Sequence, residues 1–444
     1  FKCCLIIMKF AKYIGKDGNF GLFSNLSKSS DWTFFFLGLM VFGDIVNWPQ
    51  GIVSSLGLIA LGFSLKSFIY NLRIRKLSLL PFEKFGITLF VWLFLSILWS
   101  DSVSFSNWLD ALDSLCRYAI FIVLPIFTNA ASNKTKILFP IIFFVTGIVF
   151  SLIVSFIYWL SFIPVPHNGP SIQIHMFHGM VIATGLLFSL AIFKSLKILW
   201  LKNLMLLLII LFLFNIWIVE DSRTGYLFGL VILTTYFLLI RSLRYFAFLP
   251  VILMIFVYLL VPQFQVATDR AITNSVYQIK DEHKKFSIEE GYHLEGSAGT
   301  RINFWAIATE KVSENLFFGL GIGDVSFELE KAFNEGRFSH NGGADSIPLG
   351  NIHNEYFQIL VTAGIPGLLM YLGFLISMFI YGLKVLSTNR ILGEIYIFLS
   401  LMIMTSSCFS STMRDFPEKM FLIFVLAILG VLSKHKIKLY SARV

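Results

Sequence analysis

The residues best suited to chemistry lie in the segment Asn351-Ile352-His353-Asn354-Glu355-Tyr356-Phe357-Gln358. This segment follows the one long polar stretch of the chain, roughly residues 262–350, and leads into a hydrophobic helix. Histidine can accept a proton from a hydroxyl group at neutral pH. His353 is therefore predicted to act at a membrane boundary on a lipid-borne substrate; the alternative is that it only caps a backbone group.

Several arginines could supply an anion-binding site beside that histidine. Arg223 follows Glu220-Asp221-Ser222, so a neighbouring carboxylate could pair with it instead of a substrate. Arg301 follows Thr300, a good helix N-cap, which predicts that the arginine lies in a first turn with free N–H groups. Two arginines on rigid helix ends could bind two phosphates bidentately. Arg337 and Arg414 are weaker candidates for the same role, and Arg414-Asp415 could be only a local ion pair.

Composition identifies the kind of element that must position these residues. Hydrophobic residues make up 57% of the 444 residues, and charged residues only 14%. A soluble protein of this length could not bury so much apolar surface. Repeated apolar stretches of roughly 20 residues indicate an all-α polytopic membrane protein.

The apolar stretches predict about twelve transmembrane helices. Their approximate spans are 33–48, 51–69, 84–99, 114–129, 137–162, 174–193, 203–219, 224–240, 245–261, 352–383, 392–410 and 418–433. The predicted organisation is a cytoplasmic segment 1–32, transmembrane helices within 33–261, a large external loop 262–350, further helices within 351–433 and a cytoplasmic tail 434–444.

The distribution of Lys and Arg predicts the orientation. Basic residues concentrate in the amino-terminal segment, the even-numbered links and the tail, which places both ends in the cytoplasm and the long loop outside. The net charge of +9 then reflects topology and is no evidence for nucleic-acid binding. Arg223, Arg301, Arg337 and Arg414 fall on the external side, where positive charge is disfavoured, and an anionic substrate would explain them.

Two further motifs resemble binding sites and are given structural interpretations. The glycines of Phe318-Gly319-Leu320-Gly321-Ile322-Gly323 follow a helix and have no adjacent Lys-Ser or Lys-Thr, so a tight turn is favoured over a nucleotide-binding loop. Gly364 and Gly367 are predicted to allow close helix packing. His175 and His178 could form half of a metal site, but packing or substrate contact is favoured.

Taken in order, these motifs resemble the O-antigen ligase and polymerase superfamily of bacterial inner-membrane glycan transferases. The resemblance covers about residues 203–385 and rests on Ser222-Arg223-Thr224-Gly225, Thr300-Arg301 with Trp305, the glycine run, and His353-Asn354 with Gly364 and Gly367. It implies a GT-C-like fold with a large periplasmic loop and an active site on the periplasmic face of the bacterial inner membrane. No metal and no cofactor is expected.

The resemblance also implies substrates and roles. The donor would be a glycan linked to undecaprenyl diphosphate and, in the ligase branch, the acceptor would be a sugar hydroxyl of lipid A–core. Arg223 and Arg301 would bind the diphosphate, and His353 would act as general base in an inverting transfer. Asn354, Arg337 and Arg414 would be further substrate contacts.

Three interpretations stay open at this stage. An O-antigen ligase is favoured, since no further domain follows Val431 as would suit a protein-glycosylating enzyme. A sibling transferase, either a polymerase or a protein O-oligosaccharyltransferase, would use the same lipid-linked donor. A transporter of an anionic solute is disfavoured because the two halves of the chain show no repeat.

Overall fold

Apolar helices account for nearly all of the regular structure. The computed structural model describes residues 29–74, 76–100, 108–131, 137–160, 175–219, 223–240, 242–260, 286–287, 291–292, 296–337 and 351–434. Within these ranges the non-helical regular structure is one short antiparallel hairpin, β1 (Phe286–Ser287) with β2 (Gly291–Tyr292). The expected all-α class is confirmed for the described residues.

We call the described helical part of the external loop, residues 296–337, the cap. Most helices that precede it follow the predicted apolar stretches. They are α1 Ser29–Ile45, α2 Gln50–Arg73, α3 Pro81–Leu95 with a 3₁₀ turn Ser96–Trp99, α4 Trp108–Cys116, α5 Ile120–Ala130, α6 Leu138–Trp159, α7 His175–Phe193, α8 Leu199–Phe214 with a π-helical turn Asn215–Val219, α9 Arg223–Leu239, a 3₁₀ turn Arg244–Phe246, and α10 Leu249–Leu260.

The remaining helices form the cap and the last part of the bundle. They are α11 Gly296–Glu314 and α12 Asp324–Asn334 in the cap, then α13 Glu355–Leu386, α14 Arg390–Ser407 and α15 Phe416–Lys434. The polar composition of residues 263–295 predicts short helices over the membrane mouth; the described part of this segment instead forms the β1–β2 hairpin, and residues 263–285 lie outside the described residues.

Seven helices in the described residues are long and apolar enough to cross a membrane. They are Gln50–Arg73, Pro81–Trp99, Phe139–Trp159, Leu199–Val219, Glu355–Leu386, Arg390–Ser407 and Phe416–Lys434. Shorter apolar helices occupy Ile120–Ala130, Phe177–Phe193, Thr224–Leu239 and Arg244–Leu259. The chain is thus a multi-pass helical protein, and the total of about twelve spans stays a prediction.

One predicted span is wrong as a continuous helix. Instead of running through residues 114–129, the chain ends α4 at Cys116, turns, and begins α5 at Ile120. Arg117 lies in the turn and pairs with Asp113, with 2.7 Å between its guanidinium nitrogen and Oδ2. Tyr118 is fully buried beside it. The turn therefore directs the charged pair outward and the phenol ring inward.

A buried polar clasp, formed by Glu83, Thr128 and Lys434, joins three bundle helices at the end of α15. Lys434 of α15 lies 3.0 Å from Oε2 of Glu83 in α3 and 2.7 Å from the hydroxyl of Thr128 in α5. Thr128 also donates to Oε1 of Glu83 at 2.6 Å. Because Glu83 is completely buried, these partners supply the charge and hydrogen bonds that its carboxylate would otherwise lose.

The cap has a small hydrophobic core of its own. Phe304 and Ile307 of α11 pack with Val325 and Leu329 of α12, and Lys311 links the two helices by an ion pair with Glu328 at 3.1 Å. The same core includes Ile352 and Val361. These two residues flank the start of α13, so the cap packs directly on the segment that contains His353.

The cap helix begins earlier than the sequence indicated. Thr300 was expected to be the N-cap, but α11 begins at Gly296, so Thr300 lies inside the helix and Arg301 lies beyond the first turn. N–H groups at that depth bond within the helix. The predicted anion site made of free backbone N–H groups around Arg301 is therefore wrong, and any anion binding there depends on the guanidinium.

The glycine run forms the expected tight turn, and the turn docks into a break in α13. Gly319 and Gly321 have φ values of 70° and 103°. The N–H groups of Leu320 and Gly321 donate to the carbonyls of Val361 and Thr362, at 2.8 and 3.0 Å. Gly364 interrupts α13 with a φ of 65°, and a Cβ there would collide with the Phe317 carbonyl. Gly364 thus allows a loop backbone to approach α13. The prediction that Gly364 serves close helix–helix packing is wrong.

Candidate functional site

His353 lies in a strained turn immediately before α13. Its φ is 53°, and the only other non-glycine residue with positive φ in the described ranges is Asn47. Left-handed backbone costs an ordinary residue about 1–2 kcal/mol, so surrounding contacts must hold it. The histidine is half-buried, which leaves part of its side chain accessible.

Asn351 supplies the nearest of these contacts. Its Oδ1 accepts from the backbone N–H of His353 at 2.9 Å and from the hydroxyl of Ser411 at 2.7 Å. Its Nδ2 donates to Oδ1 of Asp415 at 3.0 Å. The side chain of one asparagine thus joins the histidine turn to the loop between α14 and α15.

Asn354 is the N-cap of α13. Its Oδ1 accepts from the N–H of Phe357 at 3.1 Å, and its Nδ2 donates to the carbonyl of Cys408 at 3.1 Å. Caps of this kind stabilise a helix end by about 1 kcal/mol. The residue is buried, so the structure gives Asn354 a role in fixing the helix start; its contact with substrate stays a prediction.

Trp305 connects the cap to the histidine turn. Its indole N–H donates to the carbonyl of Ile352 at 3.0 Å, and its ring stacks on Phe357 with centroids 6.2 Å apart. Arg301 lies four residues before Trp305, on the same face of α11. Arg301 is half-buried, and Trp305 is the residue of this pair that contacts the segment containing His353.

Arg337 lies at the other end of the cap. It forms a close ion pair with Glu310 of α11, and both side chains are largely shielded from solvent. Gly336, with a φ of 72°, ends the preceding turn and lets the N–H of Arg337 donate to the Ala332 carbonyl at 2.9 Å. Arg337 thus has a carboxylate partner within the cap, with which an anionic substrate would have to compete.

Arg223 is the first residue of α9 and follows the π-helical turn Asn215–Val219. Its side chain, together with Glu220 and Asp221, lies outside the described residues. The π-helical turn itself is well anchored. Asn215 donates to the hydroxyl of Ser155 at 2.8 Å and lies 3.3 Å from Nε2 of His178. Turns of this type are often found at functional sites.

His178 is buried, and both of its ring nitrogens face hydrogen-bonding partners. Nδ1 lies 3.1 Å from the hydroxyl of Ser151, and Nε2 faces Asn215. These contacts support the packing interpretation over a metal half-site. Within the described residues no group of three His, Cys, Asp or Glu side chains is arranged to hold a metal ion, and the side chain of His175 lies outside them.

Arg414 is buried at the loop between α14 and α15. It lines a small cavity with Tyr118 of the α4–α5 turn and Gln358 and Thr362 of α13. Burial lowers the pKa of the Arg414 guanidinium, and burial likewise raises the pKa of the adjacent Asp415 carboxyl. The Tyr118 hydroxyl is buried and interacts with the Glu355 carboxyl of α13. The cavity therefore combines a buried cation with polar side chains of α13.

Gln358 joins this cavity to the histidine turn. Its Oε1 accepts from the N–H of Ile352 at 3.1 Å. Glu355, one turn earlier, accepts from the N–H of Met413 at 3.0 Å. The first two turns of α13 thus hold both the histidine turn and the α14–α15 loop.

Sequence reasoning missed the residues that hold His353. Asn351 lies about 60 residues before Ser411 and Asp415, and they meet only because the start of α13 lies beside the loop between α14 and α15. Asn351 carried one available signal: an asparagine two residues before the candidate base can form an Asx turn. No local pattern points to Ser411.

Comparison with known proteins identifies the segment that contains most of these residues. A family model described as O-antigen ligase matches residues 207–372. The matched segment runs from α8 through the cap into α13, so it contains Arg223, Arg301, Arg337 and His353, whereas Arg414 lies beyond it. The predicted resemblance to the superfamily is confirmed. A search of curated proteins found no match to the chain.

Proposed function

Because residues 207–372 form a domain of the O-antigen ligase/polymerase superfamily, whose members are glycosyltransferase-type enzymes of glycan assembly, we propose that the chain is an O-antigen ligase. It transfers a glycan en bloc from undecaprenyl diphosphate to a sugar hydroxyl of lipid A–core. The reaction needs no metal and inverts the configuration at the transferred sugar.

The observation that carries the proposal is the contact between the cap and the histidine turn. The hydrogen bond from Trp305 to Ile352 joins α11 to the residue next to His353. Arg301 shares the face of α11 that Trp305 occupies. In the proposed site Arg301 supplies the cation and His353 the base, the two groups that a reaction with an anionic leaving group and a hydroxyl nucleophile requires.

The proposed steps follow from these positions. The acceptor hydroxyl oxygen attacks the anomeric carbon of the donor sugar and gives its proton to His353. The bond from that carbon to the diphosphate oxygen breaks, and its electron pair leaves with undecaprenyl diphosphate. Arg223 and Arg301 bind the diphosphate and stabilise the charge that develops on it. Attack opposite the leaving group inverts the anomeric centre.

Further contacts extend the proposed site. Arg414 is proposed to bind a sugar hydroxyl or a phosphate at the cavity that it lines, and Arg337 of the cap and Asn354 at the start of α13 are proposed as further substrate contacts. The distribution of Lys and Arg supports a cap on the periplasmic face of the inner membrane, with both termini in the cytoplasm.

The surface polysaccharide of a strain lacking the gene tests this function. We expect lipid A–core without polymer, together with accumulated polymer on undecaprenyl diphosphate. Core that carries a single repeat unit would instead identify a polymerase, and unaltered lipopolysaccharide would contradict both. Complementation with the wild-type gene should restore the polymer, whereas His353→Ala and Arg301→Ala should not, although both proteins reach the membrane.

A further inference from the structure

We propose that Asn351, paired with Asp415, is a positioning residue that holds the backbone of His353 in its left-handed conformation. The inference rests on the proposed function, in which His353 is the general base. Asn351 does not touch substrate in this proposal. It acts through the turn that sets the direction of the imidazole.

The hydrogen-bond partners of Asn351 fix the orientation of its amide. A carboxylate can only accept hydrogen bonds, so the atom facing Asp415 at 3.0 Å is the Nδ2 donor. Oδ1 must then face the backbone N–H of His353 and the Ser411 hydroxyl, both of which donate to it. Asn351 is buried, so water does not replace these partners freely.

Asp415 is itself held in place. Its second carboxylate oxygen accepts from the hydroxyl of Ser410 at 3.2 Å, and its N–H donates to the Ser411 carbonyl at 2.8 Å. The pair Asn351–Asp415 therefore connects the strained turn to a closed loop between α14 and α15. A fixed loop of this kind can resist the tendency of His353 to relax to negative φ.

The other backbone groups of the turn are bonded as well. Ile352 donates to Gln358 and accepts from Trp305, and Asn354 caps α13. The bond from His353 N–H to Asn351 fixes the peptide plane immediately before the strained residue. Displacement of Asn351 should therefore change the direction of the imidazole while α13 and the cap stay in place.

The exchange of amide and carboxylate between the two positions provides the test. Asn351→Asp keeps an acceptor for the His353 N–H but loses the donor to Asp415, so repulsion between two carboxylates should displace residue 351 from its place beneath the turn. In the double variant Asn351→Asp/Asp415→Asn the donor and acceptor are exchanged, so the bond is restored with the net charge unchanged. Purified proteins are assayed in nanodiscs with undecaprenyl-diphosphate-linked glycan and lipid A–core.

We expect kcat of Asn351→Asp to fall at least about tenfold with KM for the donor within about twofold, and the double variant to recover most of kcat. Asn389→Asp is the matched control, because Asn389 caps α14 away from the site and aspartate caps equally well. A wild-type kcat for Asn351→Asp overturns the inference. So does a kcat of Asn351→Asp/Asp415→Asn that is no higher than that of Asn351→Asp.

Two further variants keep the outcomes distinct. His353→Ala must be inactive if His353 is the base, so transfer by His353→Ala overturns the proposed function. If His353→Ala is inactive but Asn351→Asp transfers at the wild-type rate, only the positioning role of Asn351 is overturned. If Asn351→Asp does not fold, Ser411→Ala takes its place. It removes one donor to Asn351 Oδ1 and should lower kcat with unchanged donor KM; an unchanged kcat overturns the inference.

Discussion

Because His353 has a left-handed backbone, the role of its imidazole and the strain of its backbone can be tested separately. The left-handed φ of 53° is unfavourable for histidine, whereas glycine adopts it without cost. Replacement by glycine therefore removes the imidazole and relieves the strain at once. Loss of function in such a variant cannot be ascribed to a damaged turn.

We expect His353→Gly to be as stable as the wild type or more stable, by up to about 1 kcal/mol, because the cost of left-handed backbone disappears. Transfer should fall by a factor of about 10² or more, since a general base contributes at least that much. Thermal unfolding in detergent and the in vitro transfer rate measure the two effects. His353→Asn, which also tolerates this backbone, is the control; transfer at the wild-type rate by either variant would refute the role of the imidazole.

Arg301 permits a second prediction at the residue scale. Arg301→Ala should lower kcat/KM for the lipid-linked donor by a factor of about 10² to 10³, because a fixed cation at the leaving group is lost. Arg301→Lys should recover little of this, since lysine cannot bind a diphosphate bidentately. Lys331→Ala, which removes an exposed positive charge from α12, serves as the control for overall charge. Equal losses in Arg301→Ala and Lys331→Ala would point to a general electrostatic effect instead.

At the level of helices, the break in α13 determines where the cap sits. The loop carrying Gly319 and Gly321 bonds to the carbonyls of Val361 and Thr362, just before the break at Gly364. Trp92 of α3 donates to the Ala363 carbonyl at 2.8 Å and closes the other side of the break. Carbonyl groups at the end of the first part of α13 thus bond to a loop and a tryptophan.

Gly364→Ala should destabilise the protein by about 2–4 kcal/mol, since the new methyl group meets the Phe317 carbonyl and the backbone has positive φ. We expect a lower unfolding temperature in detergent or loss of the folded monomer. Gly62→Ala in α2 is the matched control, because no atom lies within 4 Å of the position of its Cβ and alanine favours a helix. An unfolding temperature of Gly364→Ala equal to that of Gly62→Ala would contradict the docking of the loop in the break.

The contrast between predicted and observed elements has a physical cause. Apolar runs predicted the bundle helices because burial in a bilayer demands a continuous hydrophobic segment. The glycine run predicted a tight turn because glycine adopts positive φ without steric cost. Gly319 and Gly321 do have positive φ. Thr300 is not the helix start, because α11 begins one turn earlier, at Gly296. Gly364 failed because its role depends on Phe317, a residue distant in sequence.

The candidate site was predictable to a similar extent. His353 was identified by its residue type at the edge of a membrane helix, and Arg301 as a positive charge in the external loop. Their support by Asn351, Asp415 and Trp305 required the meeting of α11, α13 and the α14–α15 loop, which no local pattern specifies.

For the molecule as a whole, the clasp of Glu83, Thr128 and Lys434 ties the end of α15 to α3 and α5. Lys434→Met should destabilise the protein by about 3 kcal/mol, because it leaves a buried carboxylate without its cation. Glu83→Gln/Lys434→Met should be less destabilised than the sum of its single variants. Thermal unfolding of the four proteins forms a double-mutant cycle, and additive effects would show that the two side chains are not coupled.

The shared core of the cap and the first turns of α13 has a kinetic consequence. Ile352 and Val361 pack with Phe304 and Leu329, so the helix bearing Arg301 and the turn bearing His353 share one hydrophobic core. Lifting the cap away would expose that core to water. Under the proposed function we therefore expect lipid-tailed substrates to enter sideways from the bilayer while the cap stays packed on α13.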